Sequence, residues 1–214
     1  MYQQEVYDWQ AEQLSRTTAA NLIKNGFEAT YVATKEEAKK LIMSFIQTDM
    51  EVGFGGSMTV KELGIQDKCR EIGAKVYDHS EAKTPEEKQF VQYKEQVCDV
   101  FLSGCNAVSM DGVIYNIDAV GNRVAAMLFG PKKVLLVVGA NKICLNKDAA
   151  YEYMRRYACP LNNKRLGRDN PCVQAGYCVD CRVEGRICRA YVELRRRPLA
   201  VDTTVIIVGQ PMGL

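Results

Sequence analysis

A glycine-rich segment directly after a predicted strand is the first candidate for chemistry. Glycines let a backbone approach a ligand closely, and amides at the start of the following helix can bind phosphate or carboxylate together with two hydroxyls. The spacing matches neither a Walker loop nor the dinucleotide-binding pattern, so it supplies no ATP or NAD motif. The segment predicts an anion site, and the alternative is that Ser57 only caps a helix after a tight turn. Its residues are Gly55, Gly56, Ser57, Met58 and Thr59.

Six polar residues follow in a stretch that otherwise has the composition of a buried core. Asn116 and Asp118 are two residues apart, so they face the same side of a predicted strand. Asp118 is a candidate general base or acceptor for substrate hydroxyls, and Arg123 is a candidate partner for a carboxylate or phosphate. The alternative is a buried polar network that joins a hairpin to the sheet. The six residues are Asn106, Asp111, Asn116, Asp118, Asn122 and Arg123.

A lysine stands just beyond the most hydrophobic predicted strand, at residues 134–138. Gly139, Ala140, Asn141 and Lys142 follow that strand directly. Open α/β sheets bind ligands at the carboxyl ends of their strands, which makes Lys142 a candidate site residue. The alternative is a solvated surface lysine.

Four cysteines lie close together in sequence near the C-terminus. Four thiolates are the ligand set of a tetrahedral zinc ion or of one iron-sulfur cluster. The pattern has only one Cys-x2-Cys pair, so buried or redox-active free thiols and disulfides remain alternatives. Disulfides are disfavoured if the chain is cytoplasmic, because that compartment keeps thiols reduced. The candidate metal ligands are Cys172, Cys178, Cys181 and Cys188, with Cys159 upstream.

Two further reactive side chains are predicted to be without a role in chemistry. His79 is the only histidine, and its position at a strand end among polar residues is typical of plain surface. Cys105 is predicted to be a small apolar filler of the core, and the alternative is a nucleophile at a strand end beside Asn106.

The composition describes an ordinary globular chain. Of its 214 residues, 47% are hydrophobic and 25% are charged, and no apolar run approaches the ~20 residues of a membrane span. The first six residues have no basic and apolar leader pattern, so we expect a cytoplasmic protein. Residues 151–197 hold eleven Lys and Arg against five Asp and Glu. Such a patch suits an anionic substrate, a thiolate cluster or an acidic partner, and it is too small and too poor in aromatic residues to indicate nucleic acid.

Strands alternate with capped helices along the chain. The pattern predicts strands at residues 27–33, 50–54, 75–79, 99–103, 107–109, 113–117, 134–138 and 203–208, with capping boxes at Thr34 and Thr84. This alternation is typical of an α/β fold with a mainly parallel, Rossmann-like sheet, here with one antiparallel hairpin embedded in it. We predict one domain over residues 1–214, with an N-terminal helical extension (1–26) and a cysteine-rich basic insertion (159–197).

Three segments together resemble the lactate-utilisation (LUD) domain family. The similarity extends over nearly the whole chain, and the C-terminal cysteine pattern resembles a single-domain subgroup of formerly unknown function. The matching residues are the glycine-rich segment 55–59 with Glu62 and Gly64, then Gly104, Asn106, Ala107, Asp111, Gly112, Asn116, Asp118, Gly121, Asn122, Arg123 and Val124, and finally Gly130, Pro131, Gly139, Asn141, Lys142 and Ile143.

The resemblance implies a fold similar to ribose-5-phosphate isomerase, glucosamine-phosphate deaminase and the coenzyme A transferases. In those relatives the glycine-rich loop holds the anionic end of a substrate and carboxylates transfer protons. The implied function is in the metabolism of small organic acids of the lactate type. The candidate catalytic residues are Asp111, Asn116, Asp118, Lys142 and Glu62. The candidate substrate-binding residues are Gly55, Gly56, Ser57, Thr59, Asn106, Asn122, Arg123 and Asn141.

An alternative function belongs to a different class. The chain would then be a non-catalytic electron-transfer or scaffold subunit of an oxidoreductase complex, with an iron-sulfur cluster or zinc at the four cysteines. The predicted partners are an anionic small molecule, an oxidoreductase subunit in this alternative, and a second copy of the chain. Neither nucleic acid nor a membrane is predicted.

Overall fold

The computed structural model describes residues 3–214, so residues 1 and 2 of the predicted N-terminal extension lie outside the described residues. The helices are α1 (Gln3–Lys24), α2 (Lys35–Met43), α3 (Met58–Glu62), α4 (Ile65–Glu71), α5 (Pro85–Gln96), α6 (Asn122–Leu128), α7 (Lys147–Tyr153), α8 (Cys159–Arg165) and α9 (Pro171–Ala175). The strands are β1 (Glu28–Val32), β2 (Glu51–Phe54), β3 (Lys75–Asp78), β4 (Val100–Ser103), β5 (Ala107–Ser109), β6 (Ile114–Asp118), β7 (Lys133–Gly139), β8 (Ile143–Cys144), β9 (Ala190–Leu194) and β10 (Asp202–Val208).

The larger sheet is parallel throughout, which confirms the predicted α/β class. Its strand order is β1-β10-β7-β4-β2-β3. Helices cover both faces, and this explains why β7 is a nearly continuous apolar run. Val134, Leu136 and Val138 enter the core beneath α1 and α6, whereas Leu135 and Val137 enter the core beneath α2 and α4.

The antiparallel hairpin is not embedded in this sheet, so that part of the fold prediction is wrong. Strands β5 and β6 belong to a separate four-stranded sheet of order β8-β5-β6-β9. Strand β9 comes from the end of the cysteine-rich segment and pairs along the whole length of β6. The hairpin turn packs on α1, where a Cβ at Gly112 would lie 2.7 Å from the backbone of Asn21.

The cysteine-rich segment is more regular than its sequence predicts, because it contains α8 and α9. A single helical path runs from α7 through a π-helical turn, Met154–Ala158, into α8. Pro160 lacks the N–H for a regular helical hydrogen bond, and the wider turn just before it accommodates the ring. The cap of α7 is Asn146, whose side chain accepts the amide of Ala149 at 3.0 Å.

The two predicted capping boxes are confirmed. Thr34 accepts the amide of Glu37, and Thr84 accepts the amide of Glu87. These caps fix where α2 and α5 begin, and α5 carries one wall of the site described below. Within residues 3–214, no helix combines the length and the apolar character that crossing a membrane requires.

Candidate functional site

A cavity of about 430 Å³ opens at the carboxyl edge of the larger sheet. Strands β7, β4 and β2 are neighbours and parallel, so the loops that follow them meet at this edge. The loop after β2 contributes Gly55, Gly56 and Ser57, the loop after β4 contributes Asn106, and the turn after β7 contributes Lys142. The topology alone therefore brings together three segments that are distant in sequence.

Lys142 is the least solvated charge in this cavity wall, with 4% of the residue exposed. Its amine donates hydrogen bonds to Thr59 Oγ1 at 3.0 Å and to the carbonyl oxygen of Cys105 at 3.4 Å. In the part of the chain that the structure describes, the amine has no ion pair. The carboxylate of Glu62 pairs with Lys35 and not with Lys142. Burial lowers the pKa of Lys142 below its usual range.

The structure of the glycine-rich loop agrees in part with both predictions for it, an anion site and a helix cap at Ser57. Ser57 caps α3 by accepting the amide of Val60 at 3.4 Å, as the capping alternative requires. Thr59 lies behind the wall and orients the Lys142 amine. The amides of Gly56 and Ser57 have no protein acceptor among the described residues, so two donors remain at the cavity.

Glycine is required at two positions where the loops after β2 and β4 touch. A Cβ at Gly104 would lie 2.7 Å from Ser57 Oγ, and a Cβ at Gly55 would lie 2.8 Å from the ring of Phe101. Both contacts are closer than Cβ atoms tolerate. These glycines therefore serve close packing of the loops, whichever ligand the loops hold.

Arg123 is fixed by its surroundings. Its guanidinium donates to the carbonyl oxygens of Gly104 and Ile117 and to the side-chain oxygens of Asn106 and Asn116, all at 2.9–3.1 Å. Burial lowers its pKa. With its donors occupied, Arg123 joins the loop after β4 to strand β6, which matches the buried-network alternative.

Asp118 also has protein partners on both oxygens. One oxygen accepts the amide of Ala119 at 2.8 Å, and the other accepts the amide of Val124 at 3.2 Å at the start of α6. The same oxygen lies 3.6 Å from Arg123 Nε. Asp118 lines the cavity, but its main contacts hold α6 and Arg123 in place.

The electrostatic character of the cavity is strongly positive. Six Lys and Arg residues line it against two Asp residues, and Asp118 is already paired with Arg123. Among the residues that the structure describes, the four cations nearer the rim form no ion pair. The lining thus favours an anionic ligand. The six cations are Lys61, Lys88, Arg123, Lys142, Arg165 and Arg168.

His79 lines the same cavity, and its sequence context did not predict this. Its Nδ1 lies 2.7 Å from Glu95 Oε1, which also accepts the backbone amide of His79 at 3.1 Å. Glu95 is fully buried on α5. The hydrogen bond to Glu95 raises the pKa of His79, although burial acts in the opposite direction. A glutamate at a buried position of a helix was the signal that the sequence offered. The contact between Glu95 and His79 could be recognised only once the position of β3 was known.

The structure brings eight of the predicted catalytic and substrate-binding residues to the cavity and places the other five elsewhere. Thr59 and Asn116 lie behind Lys142 and Arg123. Asn141 accepts the amide of Met212 at 2.9 Å, and Glu62 accepts the amide of Gly213 at 3.0 Å, so both hold the C-terminal segment. The eight residues are Gly55, Gly56, Ser57, Asn106, Asp118, Asn122, Arg123 and Lys142.

Asp111 lies in a different part of the molecule. It stands in the hairpin turn, where it accepts the hydroxyl of Ser109 and borders a second depression with Asn25 and Arg195. This depression lies beside the C-terminal end of α1. Asp111 therefore does not line the cavity that contains Lys142 and Gly56.

Two cysteines form part of the cavity wall. Cys159 and Cys188 both line it. Their thiol groups lie close enough to affect each other's pKa, which is raised for Cys159 and lowered for Cys188. Cys172 and Cys178 lie close enough for their charges to affect Cys159.

The predicted four-thiolate metal site stays a prediction. Over residues 3–214, no three Cys, His, Asp or Glu side chains are arranged as the ligands of one metal ion. The segment is instead held by side-chain bonds to its backbone. Arg186 donates to the carbonyl oxygens of Cys181 and Cys188, and Asn170 donates to that of Gly185 at 3.0 Å.

Comparison with known proteins shows what the chain as a whole is similar to. The family model for the LUD domain matches residues 15–208 of the chain. Among solved structures, the chain is similar to a DUF162 family protein from Deinococcus radiodurans, with 14% sequence identity, a TM-score of 0.54, and coverage of 92% of this chain and 98% of that chain. That likeness shows a shared fold. A ribose 5-phosphate isomerase from Plasmodium falciparum matches with 14% identity and a TM-score of 0.32 over 52% of each chain. No match was found among curated proteins.

Proposed function

The chain belongs to the LUD domain family, and we propose on that basis that its cavity binds a small organic acid of the lactate type and exchanges a proton with it. Membership of the family suggests a function related to lactate utilisation. The specific ligand and the proton exchange are inferences from the residues of the cavity.

One observation carries the proposal, namely the buried amine of Lys142 in a wall of six cations. Taking an ammonium group out of water is costly unless an opposite charge or hydrogen bonds compensate it. The amine has two oxygen acceptors from the protein, Thr59 and Cys105, and no carboxylate partner among the described residues. A carboxylate ligand would supply the missing negative charge.

Groups suited to a carboxylate stand on the same wall. The free amides of Gly56 and Ser57 are donors, and Asn122 has a buried Nδ2 without a hydrogen-bond partner among the described residues. Burial lowers the pKa of Lys142, and a bound carboxylate would favour the charged form of its amine. His79, which lines the same cavity, has a ring that can accept a proton. Arg123 and Asp118 act as positioning residues, since their own contacts hold the loops of the cavity.

Calorimetric titration of the full chain with L-lactate, D-lactate, glycerate and ribose 5-phosphate tests this function. We expect at least one acid to bind, and Lys142→Met to weaken its binding about tenfold or more, equal to about 1.4 kcal/mol. Lys75→Met is the matched control, because Lys75 is exposed at the opposite end of β3. Binding by none of these acids, or equal affinity in Lys142→Met, would contradict the proposal.

A further inference from the structure

His79 and Glu95 form a buried acid-base pair in the cavity wall. His79 follows β3 directly, and Glu95 projects from the last turn of α5. A single carboxylate oxygen, Oε1, accepts both the backbone amide and Nδ1 of His79, at 3.1 and 2.7 Å. Two bonds from one residue to one oxygen fix the orientation of the imidazole ring.

These contacts determine which ring nitrogen is free. Glu95 Oε1 is an acceptor, so Nδ1 must carry the hydrogen and Nε2 of the neutral ring holds the lone pair. A Cβ built on Gly56 would lie 3.5 Å from both Nε2 and Cε1, so this edge of the ring faces the glycine-rich loop. The basic nitrogen therefore lies beside Gly56, whose amide is one of the two proposed to hold the acid.

A glutamate at position 95, where a glutamine could make the same contacts, indicates a role beyond holding the structure together. Glu95 is fully buried, and its Oε2 has no hydrogen-bond partner among the described residues. A glutamine could accept the same two hydrogen bonds without the cost of burying a charge. A carboxylate differs from the amide because it stabilises the ring after the ring has gained a proton.

We propose that His79, oriented by Glu95, is the proton-transfer group of the cavity, a proposal that rests on the proposed function. Nε2 takes a proton from the hydroxyl of the bound acid, or from the carbon beside its carbonyl group. The O–H or C–H bond breaks, its electron pair stays on the ligand, and an N–H bond forms at Nε2. The return of this proton regenerates the neutral ring. Glu95 is a positioning residue, because it acts through His79.

Other charges near the ring set the direction of its titration. The charges of Glu95 and Asp78 favour the protonated ring, whereas Lys88 and burial disfavour it. The net effect raises the pKa of His79, with the hydrogen bond that the ring donates to Glu95 as the largest cause. Replacement of Glu95 by glutamine leaves only Asp78 to oppose burial and Lys88, so the pKa should fall.

Because His79 is the only histidine, NMR of a [15N]histidine-labelled full chain without a histidine tag reports on this residue alone. We expect the neutral ring to carry its hydrogen on Nδ1 and to titrate above the reference value of about 6.5. Glu95→Gln should lower the proton affinity about tenfold or more, which is about one pKa unit. Glu86→Gln is the control, since Glu86 is exposed on the same helix and should leave the titration unchanged.

Addition of L-lactate to the same sample tests the contact with the ligand. We expect bound L-lactate to shift the Nε2 resonance and to raise the pKa of His79 further. A hydrogen on Nε2 in the free protein, a titration unaffected by Glu95→Gln, or an unchanged Nε2 resonance with L-lactate bound would overturn the inference. If Glu95→Gln does not fold, the position of the hydrogen in the wild-type ring still decides.

The two proposals fail in different ways. Failure of the proposed function appears in calorimetry, as the absence of acid binding in the wild type. Failure of the inference about His79 appears in the ligand-free spectrum. It also appears if an acid binds in a way that depends on Lys142 while the Nε2 resonance of His79 does not change.

Discussion

Lys142 affects both the stability of the protein and its proposed function. Its amine is removed from water, yet the two hydrogen bonds that it donates to Thr59 and Cys105 replace only part of its hydration. Burial of this charge without a carboxylate partner lowers the stability of the ligand-free protein. We infer that this cost is retained because the amine meets an anionic ligand.

The substitution Lys142→Met should therefore leave the free energy of unfolding unchanged or higher at neutral pH. Methionine fills a similar volume and needs no solvation. The pKa of Lys142 is lowered on folding, so the unfolded chain binds more protons and wild-type stability should rise as the pH increases toward about 10.5. The advantage of Lys142→Met should shrink over the same range. Urea titrations of both proteins from neutral to alkaline pH measure this. A loss of about 2 kcal/mol or more in Lys142→Met would instead show that the amine stabilises the fold.

Sequence patterns predicted the residues of the cavity unevenly. Gly56, Lys142 and Asp118 could be predicted from the sequence because apolar runs and glycines locate the ends of strands. His79 was missed because its importance depends on Glu95, sixteen residues away on a helix whose other positions are mostly exposed. No local pattern reports such a contact.

Helix α6 is the element that fixes the loops of the cavity. Its Arg123 binds four oxygens from the loop after β4 and from strand β6, and Asp118 accepts an amide at the start of the helix. The stability of this wall should depend on these bonds more than on apolar packing.

We expect Arg123→Met to lower the free energy of unfolding by about 3 kcal/mol, because several buried oxygens and the Asp118 carboxylate lose their partner. Arg165→Met is the control, since Arg165 is exposed on α8 and its change should stay within about 0.5 kcal/mol. Urea unfolding of both variants measures the difference. Equal stabilities would show that the network around Arg123 contributes no net stabilisation.

The cysteine-rich segment makes a separate prediction. If its four thiolates hold a metal, anaerobically purified protein should contain about one zinc ion or one iron-sulfur cluster per chain. Cys181→Ser should lose this metal, whereas Cys69→Ser should keep it, because Cys69 lies in the core beneath α4. An iron-sulfur cluster would favour the electron-transfer alternative. Metal-free protein with all nine thiols titratable would contradict the predicted site.

Elements with local sequence patterns were predicted more accurately than their pairing. The caps at Thr34 and Thr84 follow from residues three apart, and the parallel sheet follows from alternating strands and helices. The second sheet was missed because β9 pairs with β6 from a segment dominated by cysteines and arginines. Pairing between such distant segments depends on the folded chain, which no short sequence window describes.

The molecule as a whole places its positive charge where the parallel strands end. Residues 151–197 were predicted from composition to form a basic region, and Arg165 and Arg168 of that region line the cavity together with Lys61 and Lys88. Loops from the larger sheet and helix α8 thus contribute to one electrostatic environment. We propose that this environment attracts the anionic ligand into the cavity.

A crystal structure of the chain with the tightest-binding acid from the calorimetric panel tests this claim most directly. We expect the ligand carboxylate within hydrogen-bond distance of Lys142 Nζ and of the amides of Gly56 and Ser57, with His79 Nε2 facing the rest of the molecule. An acid bound beside Asp111 in the second depression, or anywhere that leaves Lys142 without contact, would contradict the account.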